Sequence, residues 1–432
     1  MKGILKHMSP IRIIALGFLA VILLGSGLFM LPISVKEDVA LSYIDALFTA
    51  TSAVCVTGLS TLDVGSTLSV FGQVVLAILI QIGGLGVATL GAGLIMAIGM
   101  RIDLRGRNLL GEALNSSNGG EIVKLLKSAL LITLVCETAG AVLNFAVFIR
   151  DNSFWQAVGL SVFHSISSFN NAGFDIFGLG TSLEPYRDDV LFNITTMLLI
   201  IAGGIGFLVI RDIGKHKFKV KKYSMHTKVV LSVSATLIVV GTLFLKLTDD
   251  ISWLEALFTS VSTRTAGFAT HPIGRFSEAG LMVMIAFMIV GASPGSTGGG
   301  IKTTTLFVLF KGIVASATNK AEKAFRYAIP RDAFKKAAVI FSMAMALICT
   351  STLVILILQP ELALSDVLFE MTSAYATVGL STGITSSLST ASKLVTAVMM
   401  YIGRLGPLTI ASLWHFSRGE RVRFPDGNIA IG

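Results

Sequence analysis

Residues 46–60 read ALFTATSAVCVTGLS, and the chain repeats a variant of that stretch three more times. The others are SVFHSISSFNNAGFD at 161–175, ALFTSVSTRTAGFAT at 256–270 and VLFEMTSAYATVGLS at 367–381. Each opens with a Phe (Phe48, Phe163, Phe258, Phe369), turns rich in Ser and Thr, and ends in a Gly followed by Leu or Phe. The glycines are Gly58, Gly173, Gly267 and Gly379, ten residues after the Phe in copies one, two and four and nine in copy three. Copy three is therefore shorter by one residue. A fixed internal repeat has to be recognised before any local motif is read.

A second marker follows each copy: Gly83-Gly84-Leu85-Gly86, Gly203-Gly204-Ile205-Gly206, Gly291-Ala292-Ser293-Pro294-Gly295 and Gly403-Arg404-Leu405-Gly406. It begins 25, 30, 24 and 24 residues after the loop glycine, so the copies stay in register across two elements.

Working outward, each repeated stretch is too short to cross a hydrocarbon core, which takes about 20 residues, and too apolar for a surface loop. On either side lie runs that are long enough: 11–31, 71–100, 128–149, 190–210, 225–245, 279–310, 337–358 and 394–416. Composition agrees, with 53% hydrophobic residues, only 14% charged and a mean hydropathy of +0.80. Soluble domains carry roughly a quarter charged residues. The abundance of glycine, 43 against 9 Pro, suits transmembrane helices packed through small residues. The apolar run at 13–31 is too long for the core of a cleavable signal peptide, so it is kept as the first span. Cys55, Cys136 and Cys349 are odd in number and far apart, so neither a disulfide framework nor a zinc site is indicated.

The net charge of +9 is sorted by loop. Lys2, Lys6 and Arg12, then Arg101, Arg105, Arg107, Lys124 and Lys127, fall on one side of the eight spans. So do Arg211, Lys215, Lys217, Lys219, Lys221, Lys222 and Lys228, the cluster Lys311, Lys320, Lys323, Arg326, Arg331, Lys335 and Lys336, and finally Arg418, Arg421 and Arg423. That side, with both termini, reads as cytoplasmic. The opposite loops carry Glu37, Asp38, Asp151, Glu184, Asp188, Asp189, Asp249, Asp250, Glu278 and Glu361, an acidic outer side that would concentrate cations. The expected fold is an all-α polytopic membrane protein of four pseudo-symmetric units of helix, re-entrant loop and helix around a central ion pathway. The units are set at 1–100, 101–214, 215–320 and 321–432.

Irregular backbone is tolerated at membrane depth only where protein buries it or where it lines a water-filled cavity. Four such turns around one axis enclose a cavity, and backbone carbonyls with Thr hydroxyls supply the oxygen ligands a dehydrated cation requires. Glycine at the turn accepts backbone angles that other residues avoid.

At these residues the sequence resembles the Trk/Ktr/HKT superfamily of potassium transporters, sharpest in SVSTRTAGF at 260–268 and GASPGSTGGGIKTTT at 291–305. Eight spans and a brief tail resemble the Ktr-type membrane subunit most. The resemblance implies a potassium selectivity filter at Gly58, Gly173, Gly267 and Gly379, with Val56, Thr57, Asn171, Ala172, Thr265, Ala266, Thr377 and Val378 placing its carbonyls. It implies a gate in an intramembrane loop, here Gly291, Ala292, Ser293, Pro294, Gly295, Ser296, Thr297, Gly298, Gly299, Gly300 and Lys302, where Pro and Gly predict a broken helix. It implies that Arg404 lines the pathway as an electrostatic barrier; a charge in mid-span is expected to face water or a partner carboxylate. Glu137, the other mid-span charge, reads as a hydrogen-bonded packing residue. The resemblance further implies K+ as transported ion, with a sodium requirement left open, no covalent cofactor, and a homodimer in a bacterial cytoplasmic membrane. It also implies a cytoplasmic nucleotide-binding regulatory ring (RCK/KtrA-like) docked on the basic loops, with no role for nucleic acid.

Other motifs are weaker. GSTGGGIKT at 295–303 nearly matches a phosphate-binding loop, but Ile301 separates Gly300 from Lys302 and no buried strand precedes it. No nucleophile, base and orienting group stand together, so an enzyme is not expected. The competing reading is a secondary transporter of another small solute, whose halves rock about a midplane site. Two spans per unit keep all four copies parallel and favour the pore.

Overall fold

The computed structural model describes residues 8–37, 39–97, 111, 122–178, 180–217, 219–330 and 332–412. Lys2, Lys6, Asp38, Arg101, Arg105, Arg107, Arg331, Arg418, Arg421 and Arg423 lie outside them, as do the inner ends of the expected spans 71–100 and 394–416.

Among the described residues, four helices are long and apolar enough to cross a membrane: α1 (Pro10–Phe29), α5 (Ile122–Phe148), α9 (Met225–Thr248) and α13 (Ala333–Leu358). No more than 33% of the apolar window of any of them is buried inside the protein. Their outward faces, among them Leu24, Leu134, Val239 and Ile357, are exposed and apolar, which is stable only against lipid.

Each long helix leads into a short one: α2 (Tyr43–Val54), α6 (Phe154–Phe169), α10 (Trp253–Ser262) and α14 (Leu364–Ala376). Local sequence starts three of these. Ser42 Oγ accepts the Asp45 N–H at 3.1 Å, while Ser153 with Gln156 and Ser252 with Glu255 form capping boxes. Phe48, Phe163, Phe258 and Phe369 anchor the four short helices in the core, all at least 95% buried.

A third set of helices follows, and here the structure departs from the sequence reading. A break was expected at 279–310 alone, yet all four are broken. The first splits into α3 (Val70–Leu85) and α4 (Val87–Ala97), and the second into α7 (Val190–Ile205) and α8 (Phe207–His216), bent by 99°. The third splits into α11 (Glu278–Met288) and α12 (Thr303–Thr318), and the fourth into α15 (Thr390–Leu405) and α16 (Pro407–Ser412). At Gly86, Gly206 and Gly406 the break is a single residue with φ of +84°, +91° and +89°. Those are angles glycine reaches without steric cost. Hydropathy counts apolar residues on both sides of such a point and so reads one span. Between α12 and α13 a two-residue hairpin, β1 (Lys323–Ala324) with β2 (Tyr327–Ala328), turns the chain.

The short helices interlock in a circle. Besides its own unit, α3 packs on α6, α7 on α10, α11 on α14, and α15 returns to α2. The last contact closes the ring across 348 residues with an ion pair, Lys393 Nζ to Asp45 Oδ1 at 2.7 Å, both side chains more than 80% covered. A pair this sheltered lies between an exposed one, worth at most about 1 kcal/mol, and a buried one that costs about 3–5 kcal/mol to break. Asp45→Ala and Lys393→Ala are each expected to cost about 2 kcal/mol. Thermal unfolding of the two single variants and the double variant should show strong non-additivity; additive losses would deny that the pair closes the ring.

Candidate functional site

The short helices end where the repeated stretches turn, and the four turns share one construction. The residue two before each glycine is left-handed: Val56 (φ +49°), Asn171 (+58°), Thr265 (+70°) and Thr377 (+52°). Each glycine is again at positive φ, between +69° and +99°. The intervening residue donates its N–H back to a helix serine carbonyl: Thr57 to Ser52 and Ala172 to Ser167 at 2.8 Å, Ala266 to Ser262 at 2.9 Å, Val378 to Ser373 at 2.8 Å. The donor lies five residues beyond the serine in three turns and four in the third. The residue missing from copy three is thus lost within the turn, after Ser262.

The turns meet. A Cβ built on Gly58 would stand 2.6 Å from Ala172 O, one on Gly173 2.7 Å from Ala266 O, and one on Gly267 2.5 Å from Val378 O. A Cβ on Gly379 would strike Thr57 O, which returns the series to the first turn. Four glycines and the four carbonyls preceding them form a closed ring, in chain order, with no room for a side chain between neighbours. Val56, Asn171, Thr265 and Thr377 stand one step further in. Thr57, Ala172, Ala266 and Val378 carry the ring oxygens, and all twelve sequence-nominated residues gather there.

On one side of the ring opens a cavity of about 610 Å³ lined from all four units. Of the acids assigned from sequence to the outer loops, Glu184 alone among the described residues lines it. Asp189 caps α7 and pairs with Arg150, and Asp249 accepts the Ser277 N–H at 2.7 Å. The acids that do line the cavity close to the ring are Asp63 and Asp175. Both were missed, although Asp175 stands two residues after Gly173, the only ring glycine so followed. Burial, with Asp63 nearby, pushes the Asp175 carboxyl up to about 6.

On the other side lies the loop 289–302 between α11 and α12. Its base is closed by pairing of Val290 with Ile301 and by Gly291 N–H donating to Ile301 O at 2.8 Å. Its tip reaches the turns: Gly299 N–H donates to Thr377 Oγ1 at 3.0 Å, and a Cβ on Gly298 would collide with Thr265 Oγ1. The break in α7/α8 holds its flank, through Ser293 N–H to Gly204 O at 3.0 Å, Thr297 N–H to Gly203 O at 3.3 Å and Phe207 N–H to Gly295 O at 3.0 Å. Lys302 folds back on the loop, Nζ lying 2.8 Å from Gly298 O and 3.2 Å from Gly299 O. From Gly291 to Gly300 and Lys302, the nominated residues form this one element.

Arg404 is partly buried and bonds carbonyls rather than a carboxylate. Its guanidinium donates to the backbone carbonyls of Thr297, Gly83 and Gly84, the last at 3.1 Å. The reason is the break at Gly86, which strands the last carbonyls of α3 at the negative end of that helix. A planar cation with five donors satisfies two of them and the loop together. Glu137 accepts from Asn170 Nδ2 at 3.0 Å, and the same nitrogen donates to Gln81 Oε1 at 2.8 Å, a contact among α3, α5 and the end of α6.

The doubled glycines of the second marker have a packing reason. A Cβ on Gly83, Gly203 or Gly403 would run into the carbonyl of Val54, Phe169 or Tyr375, where each inner helix crosses the end of a short one. Gly203→Ala and Gly403→Ala are expected to lower stability by about 3 kcal/mol, because backbone cannot yield as a side chain can. Gly27→Ala in α1, with nothing within 4 Å, should be neutral or stabilising by up to about 1 kcal/mol. Thermal unfolding compares them, and equal losses at all three would refute the crossing argument.

Three comparisons with known proteins bear on this arrangement. The sequence profile of the TrkH family, described as cation transport protein, matches residues 18–416. Ktr system potassium uptake protein B of Bacillus subtilis is 34% identical, over 98% of this chain and 97% of that protein. Potassium/sodium uptake protein NtpJ of Enterococcus hirae is 36% identical over 100% and 99%. The fold is similar to the crystal structure of the potassium transporter TrkH from Vibrio parahaemolyticus, with a TM-score of 0.75 over 95% of this chain and 86% of that one at 19% identity.

Proposed function

This chain belongs to the TrkH family of cation transport proteins, and on that premise we propose that it takes up potassium ions across the cytoplasmic membrane. The observation that carries the reading is the closed ring of Gly58, Gly173, Gly267 and Gly379 with the carbonyls of Thr57, Ala172, Ala266 and Val378. The four long apolar helices and the four broken inner ones surround it, and the relatives' names supply the ion. In this reading the ring and the left-handed residues beneath it are the selectivity filter. Carbonyl oxygens replace the hydration shell of K+, and the negative ends of α2, α6, α10 and α14 each add about 0.3–1 kcal/mol. K+ is the cargo, and no covalent cofactor takes part. A sodium requirement is carried by likeness to the potassium/sodium protein alone.

The loop 289–302 is the gate in this proposal. It lies directly inside the filter, is fastened by hydrogen bonds to the second and fourth units, and has Lys302 and Arg404 nearby, two cations that oppose the passage of a third. The basic inner segments, Lys215 to Lys222 foremost, would dock a cytoplasmic nucleotide-binding ring, and the transporter would work as a homodimer with one pathway per subunit and both termini inside.

The deciding experiment is rubidium uptake into proteoliposomes containing the purified protein. Saturable uptake that K+ outcompetes supports the proposal. Uptake coupled to another solute, with no rubidium flux, would favour a rocking transporter. Arg404→Ala removes one positive charge and the tie to Thr297, and is expected to raise rubidium leak through the closed protein by about tenfold, about 1.4 kcal/mol off the barrier; an unchanged leak removes the barrier role. Asp175 is charged above about pH 6 and neutral below it. Lowering external pH from 7.5 to 5.5 should therefore reduce uptake at subsaturating rubidium by about twofold, and Asp175→Asn should flatten that dependence.

A further inference from the structure

This inference rests on the uptake reading and concerns what aims the ring carbonyls. A serine stands four residues after the Phe in every copy: Ser52, Ser167, Ser262 and Ser373, all with no solvent exposure. Their backbone carbonyls do the same work in each turn, but their side chains do not. Ser52 Oγ accepts the N–H of Gly58 at 3.0 Å, and Ser373 Oγ accepts the N–H of Gly379 at 3.0 Å. Ser167 Oγ instead donates to the carbonyl of Phe174 at 2.7 Å, and Ser262 Oγ to that of Phe268.

The difference matters because of peptide geometry. The N–H of Gly58 and the C=O of Thr57 belong to one trans peptide unit and point in opposite directions. A serine that draws the glycine N–H back toward the short helix therefore drives the preceding carbonyl toward the ring. Thr57 O does lie against Gly379, and Val378 O against Gly267. In the second and third turns the serine grips the carbonyl of the Phe that follows the glycine, one peptide further out, so it fastens the limb leading out to the cavity and leaves the Ala172 and Ala266 carbonyls to other restraints. The sequence marks the two classes: Gly-Leu follows in turns one and four, Gly-Phe in turns two and three.

We infer that Ser52 and Ser373 are positioning residues for cation selectivity, acting through the carbonyls of Thr57 and Val378, whereas Ser167 and Ser262 secure the outer limbs without setting selectivity. The two anchored carbonyls belong to neighbouring units on either side of the Lys393 to Asp45 seam, so one half of the ring is held from behind and the other is not.

The test is rubidium uptake into proteoliposomes, with sodium as competitor, for the full-length protein and single variants. Loss of one buried hydrogen bond, which leaves an amide unsatisfied, is worth about tenfold. Ser52→Ala and Ser373→Ala are expected to reduce the preference for rubidium over sodium by about tenfold. Ser52→Thr and Ser373→Thr, which keep the hydroxyl, should stay within about twofold of the parent. Ser167→Ala and Ser262→Ala should lower the maximal rate while holding the preference within about twofold. Equal preference in all four Ala variants, or an equal loss in all four, overturns the division. Where an Ala variant does not fold, Ser→Cys at the same position preserves the volume with a weaker acceptor, and the same criteria apply. A parent protein that carries no rubidium would sink the uptake reading instead, a result distinguishable from failure of the serine assignment.

Discussion

Four short pieces of backbone meet at the centre of this protein, and no side chain separates them. That contact is possible only because the facing residues are glycines at positive φ, and it governs much of the surrounding structure. A turn at membrane depth has amides and carbonyls that neither water nor lipid will satisfy, so each must find a partner or a use. Inward amides return to Ser52, Ser167, Ser262 and Ser373. The carbonyls of Thr57, Ala172, Ala266 and Val378 face the glycines of the neighbouring turns.

The same requirement explains the broken inner helices. Gly83, Gly203 and Gly403 let these helices pass so close to the short ones that a methyl group would strike a carbonyl. The breaks three residues later leave helix ends that must be satisfied in turn. The loop 289–302 caps the end of α7 with two of its own amides, and Arg404 caps the end of α3 while holding Thr297 of the loop. The loop is therefore wedged among three helix ends. A displacement that freed it would expose several buried backbone groups at once.

Charge in this fold is mostly architectural. Acids such as Asp189 and Asp249 cap helices or join loops, Lys393 closes the seam, and Lys302 is held by carbonyls of its own loop. Among the described residues, only the acids Asp63, Asp175 and Glu184 line the cavity beside the ring.

The glycines, their register and the third copy's spacing of nine were legible in the sequence because each turn carries its own instructions: a Phe to anchor it, a glycine to bend it and fixed spacing between. The loop 289–302 was legible for the same local reason, since Pro294 and its glycines cannot continue a helix. The breaks at Gly86, Gly206 and Gly406 were not, because hydropathy sums residues and is blind to one dihedral. The partners of Arg404, the return of Lys393 to Asp45 and the split among the four serines were also beyond it. Those contacts join residues up to 348 positions apart, or depend on which of two backbone groups happens to face a hydroxyl. Sequence by itself determined where the chain turns and what it can tolerate there; only the closing of the ring decided which atoms each turn would meet.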